Sequence, residues 1–525
     1  MQSTTPHPPD ALPVDAAALR ELLLASRAEL AASQATVRRQ AEELERLRLQ
    51  LAKLRRMQFG RSSERLQAQI AQLELAIEAL GGEPAGEAVA APPATKPARQ
   101  SAPRTPRALP AHLPRETQRH EGPCACPSCG GVLVTFGEDV SEVLEYVPAS
   151  FRVIRHVRPK QRCRACAAVV QAPAAERPIA RGLAGPGLLA HVLVAKYCDH
   201  LPLYRQAQIY AREGVAIERS TLADWVGAAS ALLAPLGEAL ERHVLGGASL
   251  HADDTPVPVL DPGRGRTRTA RLWTYVREER GWGGAAAPAV VFRYSADRKG
   301  IHPQRHLAGY RGTLQADGYA GFGALYASGR IEEAACWAHV RRKFHDVAAA
   351  TDSPLAREAL ARIGALYALE AEIRGRPAEV RRAAREARAG PLVAGLRTWL
   401  EEILRTLSAK SALAAAAGYA LGRWEALARY LGDGRLEIDN NAAERALRTV
   451  ALGRKNYLFM GSDHGGERAA LIYSLIGSAR LNGLDPFAYL RTVLERIAEH
   501  PIREIDALLP WNLAAELGDH RRQAA

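Results

Sequence analysis

The spacing of apolar residues along the chain changes several times, and each change marks a candidate boundary. Leu23, Leu30, Val37, Leu44 and Leu51 recur every seven residues, and Leu47 and Leu54 add an intermediate position, so 16–57 reads as a coiled-coil helix that would pair protomers. Ser26, Ser33 and Gln40 hold the second seam position in its first half, a pattern that a lone amphipathic helix also fits. After a break at Gly60–Ser63, the residues Leu66, Ile70, Leu73, Ile77 and Leu80 alternate steps of four and three, and Gly81-Gly82 ends a second helix, closing a module over 16–82. Residues 83–115 hold eight prolines and the cations Lys96, Arg99, Arg104, Arg107 and Arg115, with too little apolar content to offset chain entropy. They predict a basic linker, which either slides along phosphates or serves as a solvated tether.

Short strand-like runs follow over 116–172. Helical spacing then returns over 178–240, broken at His200-Leu-Pro, with Gly214 at a C-cap position and Ser220 capping the next helix. Helix, glycine turn, capped helix is helix-turn-helix spacing, and a plain helical bundle has the same spacing. From 246 the period shortens to that of strands: Ser249–Leu260, Ala270–Arg277, Ala289–Tyr294 and Gly312–Ala316, then a strand-to-helix passage from Glu332 through Cys336. Residues 354–431 are helical again, with Leu366, Leu369, Leu392, Leu396, Trp399, Leu400, Leu404 and Trp424 as the buried face. Arg381, Arg385 and Arg388 share one helical face there, either a clamp for DNA or a solvated stripe. Segments 435–480 and 481–525 close the chain, the first completing the strand-rich core and the second helical.

Length and charge narrow the function. At 525 residues several domains are expected, and a net charge of +13 favours a polyanion, nucleic acid before a membrane surface. No apolar run approaches the roughly 20 residues of a membrane span and the N-terminus has no signal-peptide pattern, so a cytoplasmic, nucleoid-associated protein is expected. Cys126-Pro-Ser-Cys129 and Cys163-Arg-Ala-Cys166 form two Cys-x-x-Cys knuckles separated by strand-like runs, the layout of a zinc ribbon holding one structural Zn²⁺; Cys124 and His120 lie close enough to substitute. Cys336 and His339 stand three apart, but two ligands do not close a zinc site, which leaves core packing or DNA positioning.

The decisive chemistry is acidic. Asp253 in His251-Ala-Asp-Asp-Thr-Pro, Asp317 in Leu314-Gln-Ala-Asp-Gly-Tyr and Glu444 in Asp439-Asn-Asn-Ala-Ala-Glu come from three separated elements. Mg²⁺ or Mn²⁺ binds few carboxylates, keeps waters and takes phosphate oxygens, so two ions held there would clamp the attacking and leaving oxygens of an in-line displacement. Strands followed by alternating helix and strand describe a ribonuclease H-like mixed sheet, in which the first and fourth strands are neighbours, so Asp253 and Asp317 would converge. Asp439-Asn-Asn reads as an N-cap that places Glu444 in the opening turns of a helix. Asp253 and Asp254 face opposite ways on a strand, and apolar residues on both faces leave open which is the ligand. Arg341, Arg342, Lys343, Arg445, Arg448, Arg454, Lys455 and Arg468 are candidates for the phosphate backbone.

These motifs, with Phe59-Gly-Arg-Ser-Ser-Glu, Lys196-Tyr-Cys-Asp-His-Leu-Pro-Leu-Tyr, Cys336-Trp-Ala-His-Val-Arg-Arg-Lys-Phe and Gly453-Arg-Lys-Asn-Tyr through Gly461-Ser-Asp-His-Gly-Gly-Glu-Arg, resemble in order the transposases of insertion sequence 66. The resemblance implies a multidomain α/β enzyme in which a ribonuclease H-like core (246–350 and 435–480) carries an all-helical insertion. It assigns Asp253, Asp317 and Glu444 as the catalytic acids, although the family has Glu where this chain has Asp254. It also implies terminal-repeat and target DNA as partners, a homodimer or higher oligomer, and small accessory proteins of the same element. A non-enzymatic DNA-binding regulator and a nuclease that cuts without joining are the rival readings.

Overall fold

The computed structural model describes residues 16–58, 151–155, 160–162, 169–171, 177–180 and 182–523. The chain divides into two compact units, Met1–Lys96 with Ala335–Asp439, and Pro97–Ala334 with Asn440–Ala525.

The second unit is built on a five-stranded sheet. A two-stranded antiparallel pair, β1 (Lys160–Arg162) with β2 (Val169–Gln171), comes first in the chain. It is followed by helices α2 (Pro186–Tyr197), α3 (Leu203–Arg212) and α4 (Arg219–Leu245). The main sheet comprises β3 (Ser249–Val259), β4 (Arg268–Arg277), β5 (Ala289–Ser295), β6 (Gly312–Ala316) and β7 (Ile331–Ala335), in the order β5-β4-β3-β6-β7. β3, β4 and β5 are an antiparallel meander, whereas β3 and β6 run parallel. A parallel neighbour needs a crossover, and the chain makes it through α5 (Ile301–His306). A short helix, α6 (Gly323–Ala327), then leads to β7. Gly312 opens β6 with φ of +142° and so close to Ala248 that a Cβ would stand 2.3 Å from its carbonyl oxygen, a position only glycine tolerates.

β5 is an edge strand, and its outward N–H groups need partners. Helix α14 (Asp463–Leu481) supplies them: Val290 N–H donates to Ser478 Oγ (3.0 Å) and Phe292 N–H to Ser474 Oγ (2.8 Å). Gly466 and Gly477 permit this approach, since a Cβ there would meet Tyr294 at 2.3 Å and Val290 at 2.6 Å. Two further helices, α15 (Pro486–Arg496) and α16 (Pro510–Gln523), follow, and α15 packs against α2.

The helix-turn-helix spacing takes a different form. Gly214 has the expected left-handed backbone, φ +83°. Ser220, however, lies inside the first turn of α4, whose N-cap is Glu218 without a side-chain bond. Helix α4 runs 27 residues and packs along β5 and α14, burying Leu222, Trp225, Val226 and Leu233. Burial of that stripe is the reason the apolar spacing reads as a bundle helix.

The first unit is helical. α1 (Ala16–Gln58) leaves Leu23, Leu30 and Val37 exposed and buries Leu47 and Leu51. Its end packs on α7 (Trp337–Thr351), and burial raises the pKa of Glu45, whose carboxylate accepts from the backbone of Ala412 and Leu413. The seam therefore has two fates, open in its first half and intramolecular in its second. α8 (Pro354–Ile373) follows, and α9 (Ala378–Ala384) continues through a π-turn, Arg385–Ala389, into α10 (Gly390–Thr406). α11 (Ala412–Leu421) and α12 (Trp424–Gly432) complete it.

Two expectations fail in this unit. Arg381 and Arg385 are neither a DNA clamp nor a solvated stripe, because both are buried. Arg385 makes paired 2.7 Å bonds to Glu370 and donates to the carbonyls of Tyr430, Asp433 and Leu436, while Arg381 also reaches Glu370 and Glu437. Only Arg388 stays outside, paired with Glu372. Arg385 survives burial because its fork finds acceptors, whereas Arg381 is paired through Nη2 and its Nε and Nη1 have no hydrogen-bond partner among the described residues. Among the expected buried face, Leu366, Leu369, Leu396, Leu400 and Trp424 are buried, but Leu392 is exposed and Trp399 and Leu404 are half-buried, the Arg362 guanidinium lying over the Trp399 ring.

Candidate active site

Acids from three distant stretches approach one edge of the parallel β3–β6 pair. The register joins Ser249 to Thr313 and Ala252 to Ala316, so each β3 residue faces the β6 residue 64 positions later. Asp253 and Asp317 have the same separation and stand one step beyond the last registered pair. In-register residues of parallel neighbours project from the same face, which sets the two carboxylates side by side at the C-terminal end of β6.

Asp254 faces the other way and has a different occupation. Its side chain is 2% exposed: Oδ2 accepts from Arg271 Nη1 (3.0 Å), and Oδ1 accepts from Arg298 Nε (3.0 Å) and Nη2 (2.8 Å). Two guanidinium groups thus saturate it. Asp253 Oδ1 instead accepts only a local bond, from the Asp254 N–H at 2.7 Å. This difference separates two neighbours that alternation could not. Arg298 is shared, its Nη2 also lying 3.8 Å from Asp317 Oδ2, and its guanidinium stacks on Tyr319 with 4.2 Å to the ring centre. Asp317 is fixed from its own loop by accepting from the Tyr319 N–H (3.1 Å).

Glu444 arrives on α13 (Asn441–Gly453), in its first turn, and this helix packs on β3 and β4. Asn440 stands at the N-cap but does not cap. Its fully buried amide reaches across to β3 instead, Nδ2 donating to Ala252 O (2.8 Å) while Oδ1 meets His251 Nδ1 (3.1 Å). Since the NH₂ group is committed to a carbonyl, the oxygen must accept from His251, which assigns the histidine proton to Nδ1. The start of the helix is thereby tied to the two residues that precede Asp253. The sequence pattern Asp439-Asn-Asn suggests a cap for Asn440 and marks neither Arg298 nor Arg271; no periodicity marks a residue whose partner is on another element.

Burial raises the Asp253 carboxyl to about 7, and the negative charges of Asp317, Asp254 and Glu444 push in the same direction. Asp317 and Glu444 are therefore both within electrostatic reach of Asp253. Among the described residues, no three His, Cys, Asp or Glu side chains stand close enough together to hold a metal ion.

The remaining sequence candidates fall in several places. Arg445 and Arg448 are exposed on α13, and Lys455 is exposed beyond it, while Arg454 is half-buried and donates to Pro256 O. Arg341, Arg342 and Lys343 are exposed on α7 of the helical unit, where Lys343 lies over the Tyr419 ring at 4.4 Å. Cys336 is buried at the start of α7, as core packing requires. Cys126, Cys129, Cys163 and Cys166, with Cys124 and His120, lie outside the described residues, as do the stretches expected to form the second N-terminal helix and the basic linker. No helix among the described residues is long and apolar enough to cross a membrane.

Residues 181–468 match the model of the transposase IS66 family. The chain belongs to that family. Residues 474–511 match the IS66 C-terminal element, 123–167 the zinc-finger binding domain of transposase IS66, and 46–117 a segment described as transposase C of IS166 homeodomain. The zinc-finger match spans all four Cys-x-x-Cys cysteines and supports a zinc site there. Relatives in Sinorhizobium fredii (strain NBRC 101917 / NGR234) extend over nearly the whole chain. The uncharacterized protein y4hP is 43% identical over 489 residues, 89% of this chain and 88% of its own length. The uncharacterized protein y4qI is 39% identical over 529 residues, 95% and 97% of the two chains. Membership makes this IS66 chain a transposase with DNA-binding regions, and DNA its partner.

Proposed function

We propose that this IS66 transposase cleaves DNA at the ends of its element and joins the freed 3′ ends to target DNA, with Asp253, Asp317 and Glu444 as the acids of the active site. The observation that carries this reading is the parallel β3–β6 register, which sets Asp253 and Asp317 side by side, with the Glu444 helix packed on β3; acids so crowded are stabilised by a cation of higher charge. The sheet order β5-β4-β3-β6-β7, with β3 parallel to β6, supports a ribonuclease H-like core. Divalent ions bound by the three carboxylates would neutralise the phosphate and polarise the attacking oxygen. Asp253 and Asp317 hold that position through strand register, and Asn440 fixes Glu444 against them. Arg298, held by Asp254, brings a guanidinium to within 3.8 Å of Asp317, where a phosphate would sit. Exposed Arg445, Arg448 and Lys455 lie on or just beyond the Glu444 helix and supply backbone contacts with little sequence choice. The four-cysteine segment would bind the terminal repeats, and the exposed Leu23, Leu30 and Val37 seam would pair protomers.

The test is to incubate the purified protein and its Asp317→Asn variant with Mg²⁺ and DNA carrying the element's ends, with any partner proteins encoded by the element added. Strand joining by the parent alone supports the proposal. Cutting without joining identifies a nuclease, and binding without either identifies a regulator.

A further inference from the structure

The segment between the Glu444 helix and α14 carries two consecutive apolar side chains in the open, Leu458 at 72% and Phe459 at 41% exposure. Single exposed leucines need no explanation, but this pair does not stand alone. Leu260, 40% exposed, is brought beside it by a parallel bridge: the Met460 N–H donates to Pro258 O (2.8 Å), and the Leu260 N–H donates to Met460 O (2.9 Å). The pair is held rigidly at both ends. Before it, the Tyr457 hydroxyl hydrogen-bonds that of Tyr473 (2.6 Å); after it, Met460 is pinned to the end of β3. A rigid mount means that these side chains are not a loose loop that could fold back and hide.

The rim is cationic. Arg454 and Lys455 precede the pair, Arg264 and Arg266 lie on the β3–β4 turn that follows Leu260, and Arg268 opens β4; Arg264 is paired with Asp261, Arg268 with Asp463, and Arg454 donates to the Pro256 carbonyl, so five cations stand against two acids. Apolar tips inside a basic rim match a nucleobase taken out of its stack, with its own phosphates on either side. An apolar protein groove would not call for that rim, and the DNA-binding regions of the family favour a nucleobase over an anionic lipid surface, which would also attract the cations.

We propose that Leu458 and Phe459 form a wedge that inserts into the DNA bound at the active site and holds one base unstacked. The wedge sits at the far end of β3, six residues beyond Asp253. At about 3.3 Å per strand residue this is roughly 20 Å, which spans about five or six nucleotides at 3.4 Å per step. The unstacked base therefore lies five or six nucleotides from the phosphate that is cut. The inference takes from the proposed function only that the acids mark the scissile phosphate.

The test uses the full-length Asp317→Asn protein, so that the DNA is not consumed, and duplexes of the element's end with 2-aminopurine placed singly at three to eight nucleotides from the cut, on either strand. We expect fluorescence to rise roughly threefold or more at a position five or six nucleotides away, from the loss of stacking. A Leu458→Ser/Phe459→Ser variant in the same background loses the rise and binds the duplex about tenfold more weakly, while Phe459→Tyr keeps both. Both side chains are exposed, so the double variant retains the parent's melting temperature, which is measured alongside. No bright position, or a rise that the serine variant retains, overturns the wedge. So does a double variant that binds DNA normally and loses only self-association. Failure of the catalytic assignment appears separately, as equal cutting by the Asp317→Asn protein and the parent.

Discussion

Replacing Asp253 with Asn tests the electrostatics of the acid cluster apart from catalysis. The amide keeps an oxygen to accept the Asp254 N–H bond, and it removes the charge that burial and the neighbouring acids disfavour. In the unfolded chain the carboxyl titrates near 3.9; in the folded protein it is raised to about 7. The stabilisation tied to a group shifted upward is complete below the unfolded value and is lost as the pH rises through the folded one, so the window runs from about 4 to about 7. Between pH 5 and pH 8 about two units of that window are crossed, and at about 1.4 kcal/mol per unit the parent loses about 3 kcal/mol that the variant does not. For a unit of roughly 300 residues this is about 4 °C in melting temperature. The assay is differential scanning calorimetry of both proteins in a chelator, at half-unit pH steps. The Asn variant should gain on the parent steadily and overtake it near neutrality, and Mg²⁺ at pH 8 should raise the melting temperature of the parent alone. Parallel curves for the two proteins from pH 5 to pH 8 would refute the reasoning.

Two further substitutions probe positioning and the helical unit. Asn440→Ala strands the His251 Nδ1 donor and the Ala252 carbonyl in a buried site, costing about 2–4 kcal/mol by chemical denaturation. Because it also loosens the helix that carries Glu444, strand cleavage should fall by more than tenfold at temperatures where the variant remains folded; unchanged cleavage would show that the clamp does not position the acid. Arg385→Ala leaves Glu370 and three carbonyls without their fork and should cost about 3–5 kcal/mol. Arg385→Lys should recover only part, since a single ammonium cannot reproduce the paired bonds; a loss under 1 kcal/mol for the Ala variant would contradict this.

The strands of the sheet were legible because β-branched and aromatic residues recur in short runs between turn residues, a local property. The gathering of the acids was partly legible: Asp253 and Asp317 stood out by context, and the parallel register that sets them side by side is a fact of pairing. Alternation could not choose between Asp253 and Asp254, since both faces of β3 are apolar; the choice came from Arg271 and Arg298, which approach from β4 and from the turn after β5. Arg381 and Arg385 were misread for the same reason. A basic stripe at helical spacing looks identical whether it meets water or a carboxylate, and Glu370 belongs to a different helix.

The sequence by itself determined which stretches of the main sheet form strands, which stretch carries four cysteines at metal-ligand spacing, and which acids stand in turn-forming contexts. Such properties depend on residues within a few positions of one another. Tertiary structure alone decided which acid is left open, which arginine is a counter-ion, and that Asn440 ties a helix to a strand instead of capping it. Charge and hydrogen bonding act over a few ångströms of space, and chain separation carries no record of that distance.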